Sequence, residues 1–379
     1  MKKVLFVFGT RPEAIKMAPL VYTFLKDDAF EVRLCVSAQH RQMLDQTLEF
    51  FSLTPDYDLD IMQANQDLFD ITSRILLGLR EILREYKPDM IFVHGDTTTA
   101  LSASLAGFYE RIPIAHIEAG LRTRHLYSPF PEEANRQMID VLAQYYFAPT
   151  KTSADNLSLE GKNQANISIS GNTVIDALFL ALELIEKNPN LKAKIKQDLS
   201  LHYPLNDKRK FILVTGHRRE NFGEGFVNIC KAIRQIASEN PKIDIVYPVH
   251  LNPNVQGVVK SSLAGVSNIF LIPPLNYEHF VYLMSCSHLI MTDSGGIQEE
   301  APSLGKPVLL MRDNTERPEA LEAGVVKLVG TNVERIVRET QSLLDNPAHY
   351  EAMSKAINPY GDSKSCQKIL NFIKQRNQR

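Results

Sequence analysis

Short runs of β-branched, aliphatic and aromatic residues alternate with helix-length stretches along almost the whole chain, and this rhythm narrows the possible folds more than any other feature. In the first half the runs are 4–8, 32–36, 90–94, 114–117 and 145–148. The pattern restarts at 211–215 and continues through 243–248, 269–272, 289–292 and 308–311. Strands separated by helices make parallel sheets covered on both faces. Two doubly wound, Rossmann-like α/β domains are therefore expected, as suits 379 residues at roughly 100–200 per domain. The division expected is 1–172, then 173–363, with a closing helix in 364–379 that packs back on the first domain. Residues 173–210 contain an amphipathic stretch and a polar segment, 187–210, which reads as a helical connection and loop rather than core.

Composition removes several classes of function. A formal charge of −2 with 44% hydrophobic and 23% charged residues shows no bias towards polyanions, so nucleic acid is not an expected partner. Cys35, Cys230, Cys286 and Cys366 are scattered without a C-x-x-C pair, as in a reducing compartment, and a cytoplasmic location is expected. The apolar run before Gly9 is too short for a secretory signal, and no stretch is apolar over the ~18 residues a membrane span needs.

In open α/β sheets ligands gather at the carboxyl ends of the strands, so the residues just after each run matter most. Gly9-Thr10-Arg11-Pro12-Glu13 follows the first run and opens a helix with an apolar face of Ala14, Met17, Ala18, Val21, Phe24 and Leu25. A helix start with a guanidinium can hold phosphate, and Lys16 lies about one turn further in. Asp293-Ser294-Gly295-Gly296 enters another helix with small residues where a diphosphate must approach the backbone, and Glu300 lies a turn beyond, able to accept from ribose hydroxyls. Gly216-His217-Arg218-Arg219 adds an imidazole and two guanidiniums. The lack of G-x-G-x-x-G after the first run argues against a nicotinamide site. Each motif also has a duller reading as a helix cap, a solvated basic turn or a dipole-complementing acid, the last applying to Glu132 and Glu133. Asp96 precedes a Thr-rich helix start and can be its N-cap, whereas Glu118 ends a run before Ala119-Gly120 with no helix to cap. Strand alternation puts His94 with Asp96, and His116 with Glu118, on common faces, which raises metal binding as a rival; no helical ligand pair supports it. Together these ends suggest a cleft between two facing sheets, lined by carboxylates and anion-binding groups.

The motifs Gly9-Thr10-Arg11-Pro12-Glu13, His94-Gly95-Asp96-Thr97, Ile117-Glu118-Ala119-Gly120-Leu121-Arg122, Pro131-Glu132-Glu133-Ala134-Asn135-Arg136, Gly216-His217-Arg218-Arg219-Glu220-Asn221 and Ser294-Gly295-Gly296-Ile297-Gln298-Glu299-Glu300 are together similar to those of the bacterial non-hydrolysing UDP-N-acetylglucosamine 2-epimerases. The resemblance runs from residue 1 to the final helix. It implies a glycosyltransferase B-type fold, a cytoplasmic homodimer without metal or other cofactor, and interconversion of UDP-GlcNAc with UDP-ManNAc for surface polysaccharide. Residue by residue, it assigns acid/base work to Asp96, Glu118 and Glu132, and charge stabilisation to Arg11, Lys16 and His217. Ser294, Gly295, Gly296, Glu300 and Arg317 match nucleotide contacts, alongside Arg11 and His217. An activating second UDP-GlcNAc is implied at Gln39, His40, Gln42, Gln66, Arg218 and His250; this chain has Asn65 where some members have Arg.

The implied chemistry is anti elimination of UDP to 2-acetamidoglucal, followed by re-addition. A hydrolysing epimerase releasing ManNAc and UDP, a retaining glycosyltransferase, an oxidative epimerase carrying NAD, and a non-catalytic nucleotide-sugar binding protein are the alternatives.

Overall fold

The computed structural model describes residues 1–38, 41–63, 65–205 and 209–377. The chain divides into two compact units, residues 1–180 with 360–379, and residues 181–359. The division falls within the helix Thr173–Lys187, and the final helix Ser365–Asn377 belongs to the first unit. There Lys374 pairs with Asp27 at 2.7 Å, and the buried Asp176 carboxylate accepts from the backbone of Ser365 and Cys366 at the helix start.

Among the described residues, the first unit contains β1 (Lys2–Phe8), β2 (Phe30–Val36), β3 (Tyr57–Asp58), β4 (Met90–His94), β5 (Ile114–Ile117), β6 (Tyr145–Ala148) and β7 (Ile167–Ile169). They form one parallel sheet in the order β3-β2-β1-β4-β5-β6-β7. The second unit contains β8 (Phe211–Thr215), β9 (Asp244–Pro248), β10 (Ile269–Ile272), β11 (Leu289–Thr292), β12 (Val308–Leu310) and β13 (Val326–Leu328). Its parallel order is β10-β9-β8-β11-β12-β13. Each order reverses direction at one point, between β1 and β4 and between β8 and β11. At such a point the connections leave towards opposite faces of the sheet and open a crevice at the strands' carboxyl ends. Arg11 and Asp96 flank the first crevice, and His217 and Ser294 the second.

The central strands are buried on both faces, which explains their unbroken apolar runs. Phe6 stacks on Phe92 across β1 and β4 at 4.6 Å, and Phe24 meets Phe92 edge-on at 5.0 Å. On the helix Arg11–Leu25 the expected apolar face is buried except for Leu25, which is 54% exposed because it closes the last turn beyond the sheet. The short edge strands β3, β7 and β13 escape the sequence pattern because two or three residues carry no period.

The polar segment 187–210 departs from expectation. It holds the helix Pro189–Ser200, whose Ile195 and Leu199 are fully buried, and Tyr203 just beyond it is core. Its lysines form the solvated face and hide a narrow i,i+4 stripe. Tyr203 packs edge-on against Phe211 and Phe270, at 5.4 and 4.8 Å, and its hydroxyl meets Asp244 at 3.2 Å. Tyr203→Ala should therefore destabilise the second unit by ~3–5 kcal/mol, the usual cost of removing a buried aromatic ring. Urea unfolding of the variant beside the parent measures it, and a change under 1 kcal/mol would return this segment to the status of a linker.

Candidate functional site

In the first unit the chain leaves β1 through Gly9 and Thr10 and immediately enters a helix. Glu13 organises this turn. Its Oε2 accepts from the backbone of Gly9 and Thr10 at 3.2 and 2.9 Å and from the Thr10 hydroxyl at 2.8 Å. Its Oε1 accepts from the Thr97 hydroxyl at 2.7 Å, beyond β4. Gly9 is needed because a Cβ there would lie 1.9 Å from the Ser37 hydroxyl. Burial pushes the Glu13 carboxyl up to about 7, against the pull of its four donors. The turn leaves Arg11 half-buried at the crevice with its guanidinium making no hydrogen bond to a described residue.

Glu118 follows β5 in the left-handed region, at φ 66°, a conformation that costs a non-glycine residue ~1–2 kcal/mol. Its side chain is 12% exposed and forms an ion pair with Lys16. Oε2 also accepts from the Asn172 amide at 2.8 Å and lies 3.8 Å from His94 Nε2. Burial holds His94 down at about 3, so its ring is neutral beside the carboxylate. The strained backbone thus delivers one carboxylate to a lysine, an amide and a neutral imidazole, drawn from three other segments.

Asp96 is not the helix cap: Thr97 is, accepting from Ala100 N at 3.0 Å. The Asp96 carboxylate pairs instead with Arg136, and its carbonyl accepts from the Asn135 amide at 2.8 Å. Arg136 also reaches Glu133 at 3.3 Å. The adjacent acids Glu132 and Glu133 have different environments. Glu133 is fully buried and accepts from Thr123 N, Arg124 N and the Gln137 amide at 3.0, 3.1 and 2.9 Å, so it ties down the loop before its own helix. Glu132 is half-buried, and its carboxylate has no hydrogen bond within the described residues. His116 lies below this layer, with its nitrogens on Asp140 and the Gly95 carbonyl at 2.6 and 2.7 Å, which withdraws it from the metal set considered above. Among the described residues no His, Cys, Asp and Glu cluster has metal-site geometry.

In the second unit Asp293 turns away from the crevice. Fully buried, it accepts from His217 N and Arg218 N at 2.9 and 2.8 Å, and from the Asn221 amide at 3.3 Å. It therefore shapes the loop after β8. His217 stacks on His250 at 5.2 Å, and burial lowers its basicity. Gly295 faces two guanidiniums, since a Cβ on it would lie 2.8 Å from Arg317 Nη1 and 3.4 Å from Arg218 Nη2. Arg317 is anchored by Glu299, and the Glu300 carboxylate curls back to 3.7 Å from the Cβ position of Gly296. Small residues, two guanidiniums and a carboxylate thus crowd one helix start, a setting suited to a diphosphate with a polyol beside it.

The residues assigned by resemblance to a second ligand are divided between the units. Gln42 is exposed, and Gln66 accepts from Gln63 N at 3.2 Å. Arg218 and His250 share contacts with Gly295 and His217. Gln39 and His40 lie outside the described residues. Sequence reasoning placed Glu13 at the strand end without its scaffold role, and passed over the pairings of Asn172, Arg136 and Asp140 and the inward aim of Asp293. Only Glu13 carried a local signal, the Thr10-x-x-Glu13 capping box.

Two Rossmann-like units with these loops place the chain among the nucleotide-sugar enzymes of glycosyltransferase B-type fold. A profile of the UDP-N-acetylglucosamine 2-epimerase family matches residues 23–374. The UDP-N-acetylglucosamine 2-epimerase of Campylobacter jejuni is 61% identical over 373 residues, 98% of this chain and 97% of that one. Among solved structures, UDP-GlcNAc 2-epimerase from Neisseria meningitidis, bound to UDP-GlcNAc, is 50% identical with a TM-score of 0.88, covering 98% of this chain and 100% of the other. The Methanocaldococcus jannaschii enzyme, in complex with UDP-GlcNAc and UDP, is 32% identical with a TM-score of 0.78, covering 98% and 99%. The chain belongs to the UDP-N-acetylglucosamine 2-epimerase family and is an enzyme of that activity.

Glu13 gives a stability signature with a definite sign. Below about pH 4.5 its carboxyl is protonated both folded and unfolded. Between there and about 7 the unfolded chain loses a proton that the folded chain keeps, so rising pH favours unfolding by up to about 3 kcal/mol. Glu13→Gln, which keeps the shape and needs no proton, should match the parent at pH 4 and exceed its stability at pH 8. Denaturant curves at the two pH values measure the difference; equal offsets at both would mean that Glu13 ionises normally inside the fold.

Proposed function

We propose that the chain interconverts UDP-GlcNAc and UDP-ManNAc without releasing free sugar, by eliminating UDP and adding it back. The observation that carries this reading is the Glu118 carboxylate, held on a left-handed backbone by Lys16 and Asn172. A general base has to be fixed in place against a carbon acid that is intrinsically unreactive. The C2 hydrogen has no neighbouring carbonyl, so it becomes acidic only as the C1–O bond to UDP breaks. A carboxylate removes that proton, the C2–H electron pair becomes the C1–C2 double bond, and UDP departs with the C1–O pair. The product of this half-reaction is 2-acetamidoglucal. Protonation of C2 from the opposite face and attack of UDP oxygen on C1 give the manno epimer.

Asp96, Glu118 and Glu132 supply the proton donors and acceptors in this reading. Arg11 and Lys16 balance charge growing on the diphosphate, while His217 serves as a neutral hydrogen-bond donor. Ser294, Gly295, Gly296, Glu300 and Arg317 hold UDP. The UDP-GlcNAc bound in the Neisseria meningitidis relative supports this choice of substrate. A second UDP-GlcNAc acts as activator through Gln42, Gln66, Arg218 and His250, with Gln39 and His40. Support for it comes from His250 stacking on His217 and Arg218 flanking Gly295, which would let one ligand stiffen groups the other needs. The enzyme works as a cytoplasmic homodimer and supplies ManNAc-type sugars for surface polysaccharide.

Turnover of UDP-GlcNAc in heavy water, without added metal or NAD, tests the mechanism. Deuterium should appear at C2 of UDP-ManNAc, with no accumulation of free ManNAc. Asp96→Asn, Glu118→Gln and Glu132→Gln should each lose turnover by ~10²-fold or more while still binding UDP. Inversion with retention of the original hydrogen, or stoichiometric release of ManNAc and UDP, would replace this mechanism with an oxidative or hydrolytic one.

A further inference from the structure

Glu118 sits in an unfavourable backbone conformation, at φ 66°. The shape of the turn is imposed from beneath, by a buried carboxylate that the proton-transfer scheme does not use. Asp140, on the helix Glu132–Leu142, is fully buried. Its Oδ1 lies 2.6 Å from His116 Nδ1, and its Oδ2 lies 2.6 Å from Arg122 Nη2 and 3.3 Å from Gly120 N. His116 is two residues before Glu118, and Gly120 is two residues after it. One carboxylate therefore grips both arms of the turn that presents Glu118. The other His116 nitrogen faces the Gly95 carbonyl at 2.7 Å, which extends the grip to the residue before Asp96. Gly95 itself has φ 65° and Gly120 φ 85°, so with Glu118 the network touches three left-handed positions. A Cβ on Gly120 would lie 2.2 Å from the Ser153 carbonyl, so only glycine fits there.

We infer that Asp140 is a positioning residue for the epimerisation, clamping the Glu118 turn from below through His116 and Gly120. The inference rests on the reading of Glu118 as a proton-transfer group. Burial opposes charge on Asp140, but His116 and Arg122 hold its carboxyl below the usual range. It therefore stays an acceptor for all three donors. An asparagine has the same size but only one acceptor oxygen. Either way round, its amide hydrogens face His116 on one side or Gly120 and Arg122 on the other.

Steady-state kinetics of Asp140→Asn, with UDP affinity measured in parallel, test the clamp. The expected result is a kcat at least tenfold lower, with KM and UDP affinity within threefold of the parent. A purely structural role would lower the amount of active enzyme without altering kcat per folded site, as counted by UDP titration. A kcat per site within threefold of the parent overturns the inference, as does a loss confined to KM. Should Asp140→Asn not fold, His116→Gln removes one arm of the same clamp and carries the same expectation. Glu118→Gln run alongside separates the two readings: if it remains active, the assignment of Glu118 falls, whereas an inactive Glu118→Gln beside a fully active Asp140→Asn removes the clamp alone.

Discussion

The pairing of Lys16 with Glu118 is the interaction around which the first unit's site is arranged. It joins the helix after β1 to the turn after β5, and both partners are mostly shielded from water. A shielded pair contributes little net stability, because desolvating two charges cancels much of their attraction. Its value is geometric. The pair fixes the two segments relative to each other. Asn172 adds a neutral donor from the turn after β7, and His94 adds a ring that burial keeps uncharged. The Glu118 carboxylate thus meets the Lys16 ammonium, a neutral amide and a neutral ring.

In the second unit the charge logic is reversed. The buried anion Asp293 belongs to the scaffold, and it is neutralised by backbone N–H groups rather than by a cation. Saturating this carboxylate with loop donors folds residues 216–221 around it, with the His217 ring kept beside it, Nδ1 3.7 Å from Oδ1. Arg312 continues the pattern from beneath. It is buried and bonded to both Glu220 and Glu316, so it couples the loop carrying His217 to the loop carrying Arg317. Arg317, half-buried beside Gly295, is itself held by Glu299 and Glu316, so its guanidinium is preorganised for an anion, the condition for strong electrostatic stabilisation.

Much of this was legible in the sequence because parallel sheets announce themselves. Strands buried on both faces leave continuous apolar runs, and ten of them were read to within two residues. The site residues on strand ends were legible for the same reason: the fold puts them at the crevice, and Arg11, Asp96, Glu118, His217 and Ser294 needed only that rule. What stayed hidden was pairing across long separations. Asn172 lies 54 positions from Glu118, and Arg136 lies 40 from Asp96; no local period links them. The N-cap reading of Asp96 failed because Thr97, one residue on, had an equally good capping side chain and left the carboxylate free for Arg136. The lysine-rich 187–210 segment misled for the opposite reason, since two buried aliphatics and one tyrosine suffice to anchor a helix that is otherwise solvated.

Glu132 and Glu133 show how little separates a scaffold acid from a reactive one. The two share a helix start and the same favourable dipole, yet helical geometry turns them about 100° apart. Glu133 points inward, and loop N–H groups and an amide occupy both of its oxygens. Such a carboxylate holds its charge and cannot release its donors without opening the loop. Glu132 is half-buried, and its carboxylate has no hydrogen bond within the described residues. The same division separates Asp140 from Glu118, and Asp293 from Glu300. In each pair the more deeply buried acid is spent on backbone and scaffold donors.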